Sequence, residues 1–199
     1  MGKITNTETW EKTGGEYAID LDRRLKQSGK NPYVIQRKFA LDALKKINFK
    51  TALEVGCNNG RILEPLFKHF PKRHIEGCDI SREALDILQE RCPKAELRKV
   101  NIVEGLPYKD NEFDLVYTSE CLCHIAYYDI DKVRDELKRV AKKVIFLSEP
   151  FRPIYPDKHT VNVGSDSHGG TFCHHHEKYF DNCETDFMER IAKNYLITL

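Results

Sequence analysis

The sequence has no CxxC pair, no GK[ST] tripeptide and no complete G-x-G-x-x-G run. It also has no apolar stretch near the roughly 18 residues that span a bilayer. Each absence closes a route. Without paired cysteines a structural zinc site of the usual kind is not expected, and without GK[ST] a P-loop is excluded. The incomplete glycine run weakens any dinucleotide site, and the missing apolar run excludes a membrane-spanning helix. The opening MGKITNTETW lacks the apolar core of a secretory signal, so a soluble, cytoplasmic protein is expected. A net charge of either sign is missing too. With 32 basic and 31 acidic residues the balance is +1, which argues against nucleic acid or an anionic membrane as partner.

What is present begins with 199 residues, enough for one domain with a substantial core. The 7 cysteines are odd in number and sit mostly in apolar or motif segments, as reduced thiols do. Residues 1–31 are polar, with isolated aromatics at Trp10 and Tyr17. They read either as a frayed terminus or as a lid over a site. From Pro32 a helical stripe (Ile35, Phe39, Leu44, Ile47) runs to residue 48, and the single domain is expected to span 32–199.

Strands are predicted at Thr51–Val55, His74–Cys78, Ala95–Val100, Phe113–Thr118 and Val144–Leu147. Helices are predicted after Gly60, over Arg82–Cys92 with Ser81 as N-cap, and over Asp131–Lys142. Pro65 implies that the first of these is kinked or begins near Glu64. Such alternation predicts an α/β fold, a doubly wound and mostly parallel sheet covered on both faces. Beyond Pro150 a long substrate-side loop is expected over 150–176, then helical patterning over 175–193 and a strand-like YLITL. No internal repeat or low-complexity tract is found.

In such a sheet ligands bind beyond the carboxyl ends of the strands. The residues there are Glu54, Gly56 and Gly60 after strand one, Asp79 after strand two, Asn101 after strand three, Ser119 to His124 after strand four and Glu149 after strand five. Gly56 and Gly60 permit a tight turn and close ligand approach, and the helix beyond presents free N–H groups. Asp79, ending an apolar strand, can accept hydrogen bonds from two ribose hydroxyls, which makes this a nucleoside site.

Glu54-Val55-Gly56-Cys57-Asn58-Asn59-Gly60 resembles the E-x-G-x-G-x-G motif of class I S-adenosylmethionine-dependent methyltransferases. Cys78-Asp79-Ile80-Ser81 is similar to their ribose-binding strand end. The segment from Leu106-Pro107 to Phe113-Asp114-Leu115-Val116 resembles their LP-x-x-D-x-x-FD-x-V, and Cys121-Leu122-Cys123-His124-Ile125 their L-x-H-I. The resemblance covers about residues 50–150 and, more loosely, extends to small bacterial methyltransferases associated with sugar biosynthesis.

The resemblance implies S-adenosylmethionine as cofactor. Glu54 would approach its amino group, Gly56, Cys57, Asn58, Asn59 and Gly60 would wrap methionine and ribose, and Asp79 would hold the ribose with Ile80 against adenine. Asn101 and Ile102 would meet the adenine, the amide oxygen of Asn101 accepting from its amino group. Ser119 and Glu120 would line the methionine side. Asn58 stands where the family has a glycine, and asparagine tolerates positive φ better than other residues. The family's final antiparallel strand is expected to be absent or rearranged, because the sequence leaves little room for it.

Methyl transfer needs alignment more than a universal catalytic residue, and a base only for a protonated nucleophile. His124 is the candidate base, against a plainer reading as a histidine bonded to its own loop. Glu149 is a candidate substrate contact or an exposed carboxylate. Within the cluster from His168 to His176, His174 and His175 are expected to line the substrate pocket. Metal ranks below this, since adjacent histidines cannot all face one ion, and no metal ligand is assigned. Cys121 and Cys123 bring a soft substrate such as arsenite to mind but fit buried apolar positions better. Tyr17, with Trp10, can close over a sulfonium or simply anchor a helix. The expected function is methyl transfer to an oxygen or nitrogen of a small molecule. RNA or protein as acceptor, or an inactive cofactor-binding subunit, are the alternatives.

Overall fold

The apolar runs become strands whose alternate residues feed two separate cores. A computed structural model describes residues 6–26, 31–150, 160–166, 169–188 and 192–199. Helices α1 (Asn6–Leu25) and α2 (Pro32–Leu44) precede β1 (Thr51–Val55). Then follow α3 (Leu63–His69), β2 (His74–Asp79), α4 (Arg82–Arg91), β3 (Glu96–Lys99), β4 (Phe113–Ser119), α5 (Ile130–Val140) and β5 (Ala141–Pro150). The chain continues through β6 (Thr160–Asp166), β7 (Gly169–His174), β8 (Cys183–Met188) and β9 (Ala192–Thr198).

The main sheet has the order β3-β2-β1-β4-β5-β9-β8. β1 to β5 run parallel, whereas β9 is antiparallel to both of its neighbours. Strand order reverses between β1 and β4, which opens a crevice at their carboxyl ends. Side-chain alternation is visible in β4 and β5. Val116, Ile145 and Leu147 pack with Val133 and Leu137 of α5, while Leu115, Tyr117 and Phe146 pack with Leu41 and Leu44 of α2 on the other face.

The predicted cap at Ser81 is found, and Asn31 supplies one that the sequence reading did not name. Ser81 Oγ accepts from the Ala84 N–H at 3.3 Å, and Asn31 Oδ1 accepts from the Tyr33 N–H at 2.9 Å ahead of Pro32. Pro65 lies in the first turn of α3, where no intrahelical donor is lost.

The carboxyl-terminal third differs from expectation. The final antiparallel strand is present as β9, so its expected loss is corrected. Where helix was expected over 175–193, a short 3-10 turn (His176–Lys178) leads to β8. β8 is an edge strand whose Glu184, Thr185 and Asp186 are all exposed. It is held by backbone pairing to β9 and carries no alternating apolar signature. Within the expected loop 150–176, β6 and β7 form an antiparallel hairpin.

Candidate functional site

Residues from β1, β2, β4 and α1 converge on one cavity at the carboxyl ends of the strands. Its floor is the turn after β1. The N–H groups of Gly56 and Cys57 both donate to the Cys78 carbonyl, at 2.8 and 3.0 Å, which draws the turn against the end of β2. Gly56 (φ 74°), Asn58 (φ 44°) and Gly60 (φ 83°) all take the left-handed conformation, as anticipated for Asn58. A Cβ on Gly56 would lie 2.3 Å from Cys121 Sγ, so only glycine fits against the segment beyond β4.

Asp79 lines the cavity and accepts from the Asn58 N–H at 2.8 Å and the Ser81 N–H at 2.9 Å. Burial pushes its carboxyl above the usual range, against the pull of those N–H groups. Glu54, 2% exposed, has its carboxyl pushed up to about 8 by burial, which outweighs the Tyr117 hydroxyl and the Arg61 guanidinium. Both Glu54 Oε2 and Asn58 Oδ1 are buried without a hydrogen bond within the chain. Two orphaned acceptors in one cavity suit a ligand that brings donors.

On the β4 side, Arg61 donates to Ser119 Oγ at 2.7 Å and pairs with Glu120 at 2.9 Å. Arg61 was not singled out in the sequence. Its only signal there is its place directly after the glycine turn. Glu120 itself has positive φ (54°), which turns the chain sharply out of the strand. Asn101, Ile102 and Ile80 line the adjoining wall. Asn101 Oδ1 also caps the following 3-10 turn by accepting from the Val103 N–H at 3.2 Å.

α1 closes the cavity through Trp10, Tyr17 and Leu21. The Trp10 ring meets Tyr17 edge-on at 5.1 Å between centroids and lies 4.5 Å from the His124 ring. Aromatic faces grouped in this way attract cations. His124 lines the cavity on the 3-10 turn after β4.

Several expected site residues lie elsewhere. Asn59 is fully buried and donates to α1, to the Ala18 carbonyl at 2.8 Å and to Asp22 at 2.9 Å. Gly60 packs under Leu88, which a Cβ would meet at 2.3 Å. Glu149, expected as a substrate contact or an exposed carboxylate, is only 3% exposed, which corrects the second reading, and it does not line the cavity. It accepts from the Thr118 hydroxyl at 2.7 Å and from the N–H groups of Cys121, Leu122 and Cys123 at 3.2–3.3 Å, so it braces the turn that carries His124. Its carboxyl is pushed up to about 7 by burial, opposed by those hydrogen bonds.

The histidines of the 174–176 run each meet a different hydrogen-bonding partner. His174 contacts the Ile125 carbonyl at 3.1 Å behind the same turn, and burial pushes its imidazole down to about 4. His175 meets Glu177 at 3.4 Å and His176 meets Arg134 at 3.2 Å. Neither His174 nor His175 lines the cavity, and His168 lies outside the described residues. Cys121 lines the cavity, but burial and the nearby Glu149 push its thiol up, away from the reactive thiolate.

Comparison with known proteins adds an independent line. Residues 52–144 match the family described as a methyltransferase domain. An uncharacterized methyltransferase of Schizosaccharomyces pombe is 36% identical over 100 residues, 45% of this chain and 35% of the relative, so the chain spans about a third of that relative's length. Among solved structures, magnesium protoporphyrin IX methyltransferase of Synechocystis with bound S-adenosylmethionine superposes with a TM-score of 0.66 at 12% identity. That superposition covers 100% of this chain and 99% of that one. A possible histamine N-methyltransferase of Thermotoga maritima gives 0.65 at 19% identity, over 96% and 98% of the two chains. At these identities the structures speak for the fold.

Proposed function

We propose that this chain, whose residues 52–144 match a methyltransferase domain family, transfers a methyl group from S-adenosylmethionine to an oxygen or nitrogen of a small molecule. The observation that carries the reading is the convergence of Glu54, the Gly56–Asn58 turn, Asp79, Ile80, Asn101, Ile102, Ser119 and Glu120 on one cavity. The two orphaned acceptors on Glu54 and Asn58 fit a donor-bearing cofactor. Solved structures of the same fold with S-adenosylmethionine bound support it further.

In this reading Glu54 takes the cofactor's ammonium and Asp79 its ribose hydroxyls, while Ile80 and Ile102 flank the adenine and Asn101 accepts from its amino group. When bound, the cofactor supplies an electrophilic methyl carbon on a sulfonium, open to in-line displacement. The protein's part is alignment, which contributes on the order of 7–11 kcal/mol when geometry is good. α1 acts as a lid. Trp10 and Tyr17 exclude water and offer aromatic faces to the positive charge. His124 receives the proton on an imidazole nitrogen if the acceptor is protonated.

Isothermal titration with S-adenosylmethionine and S-adenosylhomocysteine tests the first half, and no binding of either at high micromolar concentration sinks it. A panel of small amines and hydroxyl compounds, read by S-adenosylhomocysteine release, tests the second.

A further inference from the structure

The side chain of Asn59 does not meet the cavity, yet it connects the cavity's floor to its cover. Fully buried, it donates to Ala18 O at 2.8 Å and Asp22 Oδ1 at 2.9 Å, both on α1. Asp22 in turn receives Arg91 Nη1 at 3.0 and 2.9 Å on its two oxygens. Arg91, in the last turn of α4, also donates to the Asn59 carbonyl and pairs with Glu64 of α3 at 3.4 Å. The turn after β1, α1 and the end of α4 thus share one polar junction.

A second seam lies along the same helix. Gly14 and Gly15 have no room for a Cβ, which would lie 2.4 Å from Ser81 Cβ and 2.7 Å from Glu83 Cβ. The backbone of α1 therefore rests on the segment just beyond Asp79.

We propose that Asn59, Asp22 and Arg91 form a latch that couples cofactor occupancy to docking of α1. Asn59 and Asp22 are positioning residues that act through Trp10 and Tyr17. The inference rests on the cofactor reading above. Asn58, beside Asn59, lines the cavity and donates its N–H to Asp79. A ligand that fixes this turn therefore fixes the Asn59 amide that holds α1. Linkage makes the effect reciprocal, so a docked α1 must slow the ligand's departure. The ion pair alone would do little, because Asp22 and Arg91 are each 31% exposed and salt screens them. The coupling resides mainly in the buried amide, whose donors have no water to fall back on.

The test uses the full chain, with hydrogen exchange of α1 amides and stopped-flow dissociation of S-adenosylhomocysteine. In the wild type the ligand should slow α1 exchange. Asp22→Ala should speed α1 exchange in the free protein and raise the dissociation rate about ten-fold, within the usual range of coupling. Association should change much less. Asp22→Asn, which keeps an acceptor for Asn59 but loses the charge, should recover most of the wild-type behaviour. Unchanged α1 exchange in Asp22→Ala overturns the latch, and faster exchange with an unchanged dissociation rate overturns the coupling. A wild-type protein that binds no S-adenosylhomocysteine overturns the cofactor reading and the coupling with it, whereas the exchange arm still reports on the latch itself. Circular dichroism melting of each variant separates these outcomes from loss of fold.

Discussion

Replacing Glu54 with glutamine tests the proposed cofactor contact by counting protons. In the free protein burial pushes the Glu54 carboxyl up to about 8, so at pH 6.5 nearly all of it is protonated, with about a ten-fold ratio per unit. A cationic amino group binding beside it favours the carboxylate, because an opposite charge stabilises the ionised form. Binding at pH 6.5 should therefore release close to one proton from this residue. The sign follows directly. Affinity rises as pH rises toward 8, by up to about ten-fold per unit, because less work is spent ionising Glu54. Above about 8 Glu54 is already ionised in the free protein, so the gain ends. The assay is isothermal titration of S-adenosylhomocysteine in buffers of different ionisation enthalpy, from pH 6 to 8.5. Glu54→Gln should bind more weakly at pH 8, release fewer protons at pH 6.5 and show a flatter pH dependence. Equal proton release by the two proteins would refute the pairing of Glu54 with an ammonium.

Four further outcomes follow from the packing. Gly56→Ala puts a methyl group 2.3 Å from Cys121 Sγ at a φ of 74°, and should weaken S-adenosylhomocysteine binding by at least about ten-fold, read by titration. Leu137→Ala removes a side chain with no exposure from the core under α5 and should cost about 2–5 kcal/mol by urea denaturation. Glu149→Ala strands three backbone donors and a hydroxyl, and should destabilise by several times the roughly 1–3 kcal/mol typical of one buried unsatisfied group if none relaxes. Because Glu149 is pushed from 4.5 up to about 7, the fold prefers its protonated form. That contribution is full below about 4.5 and is lost as pH rises through about 7, so Glu149→Gln should flatten wild-type stability between those values in urea titrations.

The residues that line the cavity's floor were legible because their geometry is local. Gly56, Asn58 and Asp79 follow apolar runs directly, and a turn that must reach positive φ restricts which residues can occupy it. Glu149 was misread for the opposite reason. Whether a carboxylate after a strand meets solvent or three backbone N–H groups depends on a loop 26 to 28 residues away in the chain. Likewise β8 is specified by pairing with β9, and its exposed Glu184, Thr185 and Asp186 carry no period-2 apolar signal. His174 and His175 lie within the segment expected at the substrate, yet their neighbours come from the turn after β4 and from Glu177.

α1 was nearly legible, and what hid it explains its role. Trp10, Gly14, Tyr17, Ala18 and Leu21 recur at helical spacing, but glycine at 14 and 15 lowers intrinsic helix stability by about 1 kcal/mol each relative to alanine. The segment therefore reads as a frayed terminus or a lid. The same glycines bring the helix backbone onto Ser81 and Glu83, where any Cβ would clash. A helix weak in isolation and closely fitted when docked depends for its stability on the surface it covers. That surface includes Asn59 and the end of β2, next to Asp79. Glycines that stabilised α1 independently would be replaceable by alanine, whereas Gly14→Ala should raise intrinsic helicity yet undock α1 and expose Trp10. A red-shifted Trp10 emission in that variant, the single tryptophan of the chain, is the direct reading. Unchanged emission with wild-type α1 exchange would mean that the close fit at Gly14 does not hold the helix in place.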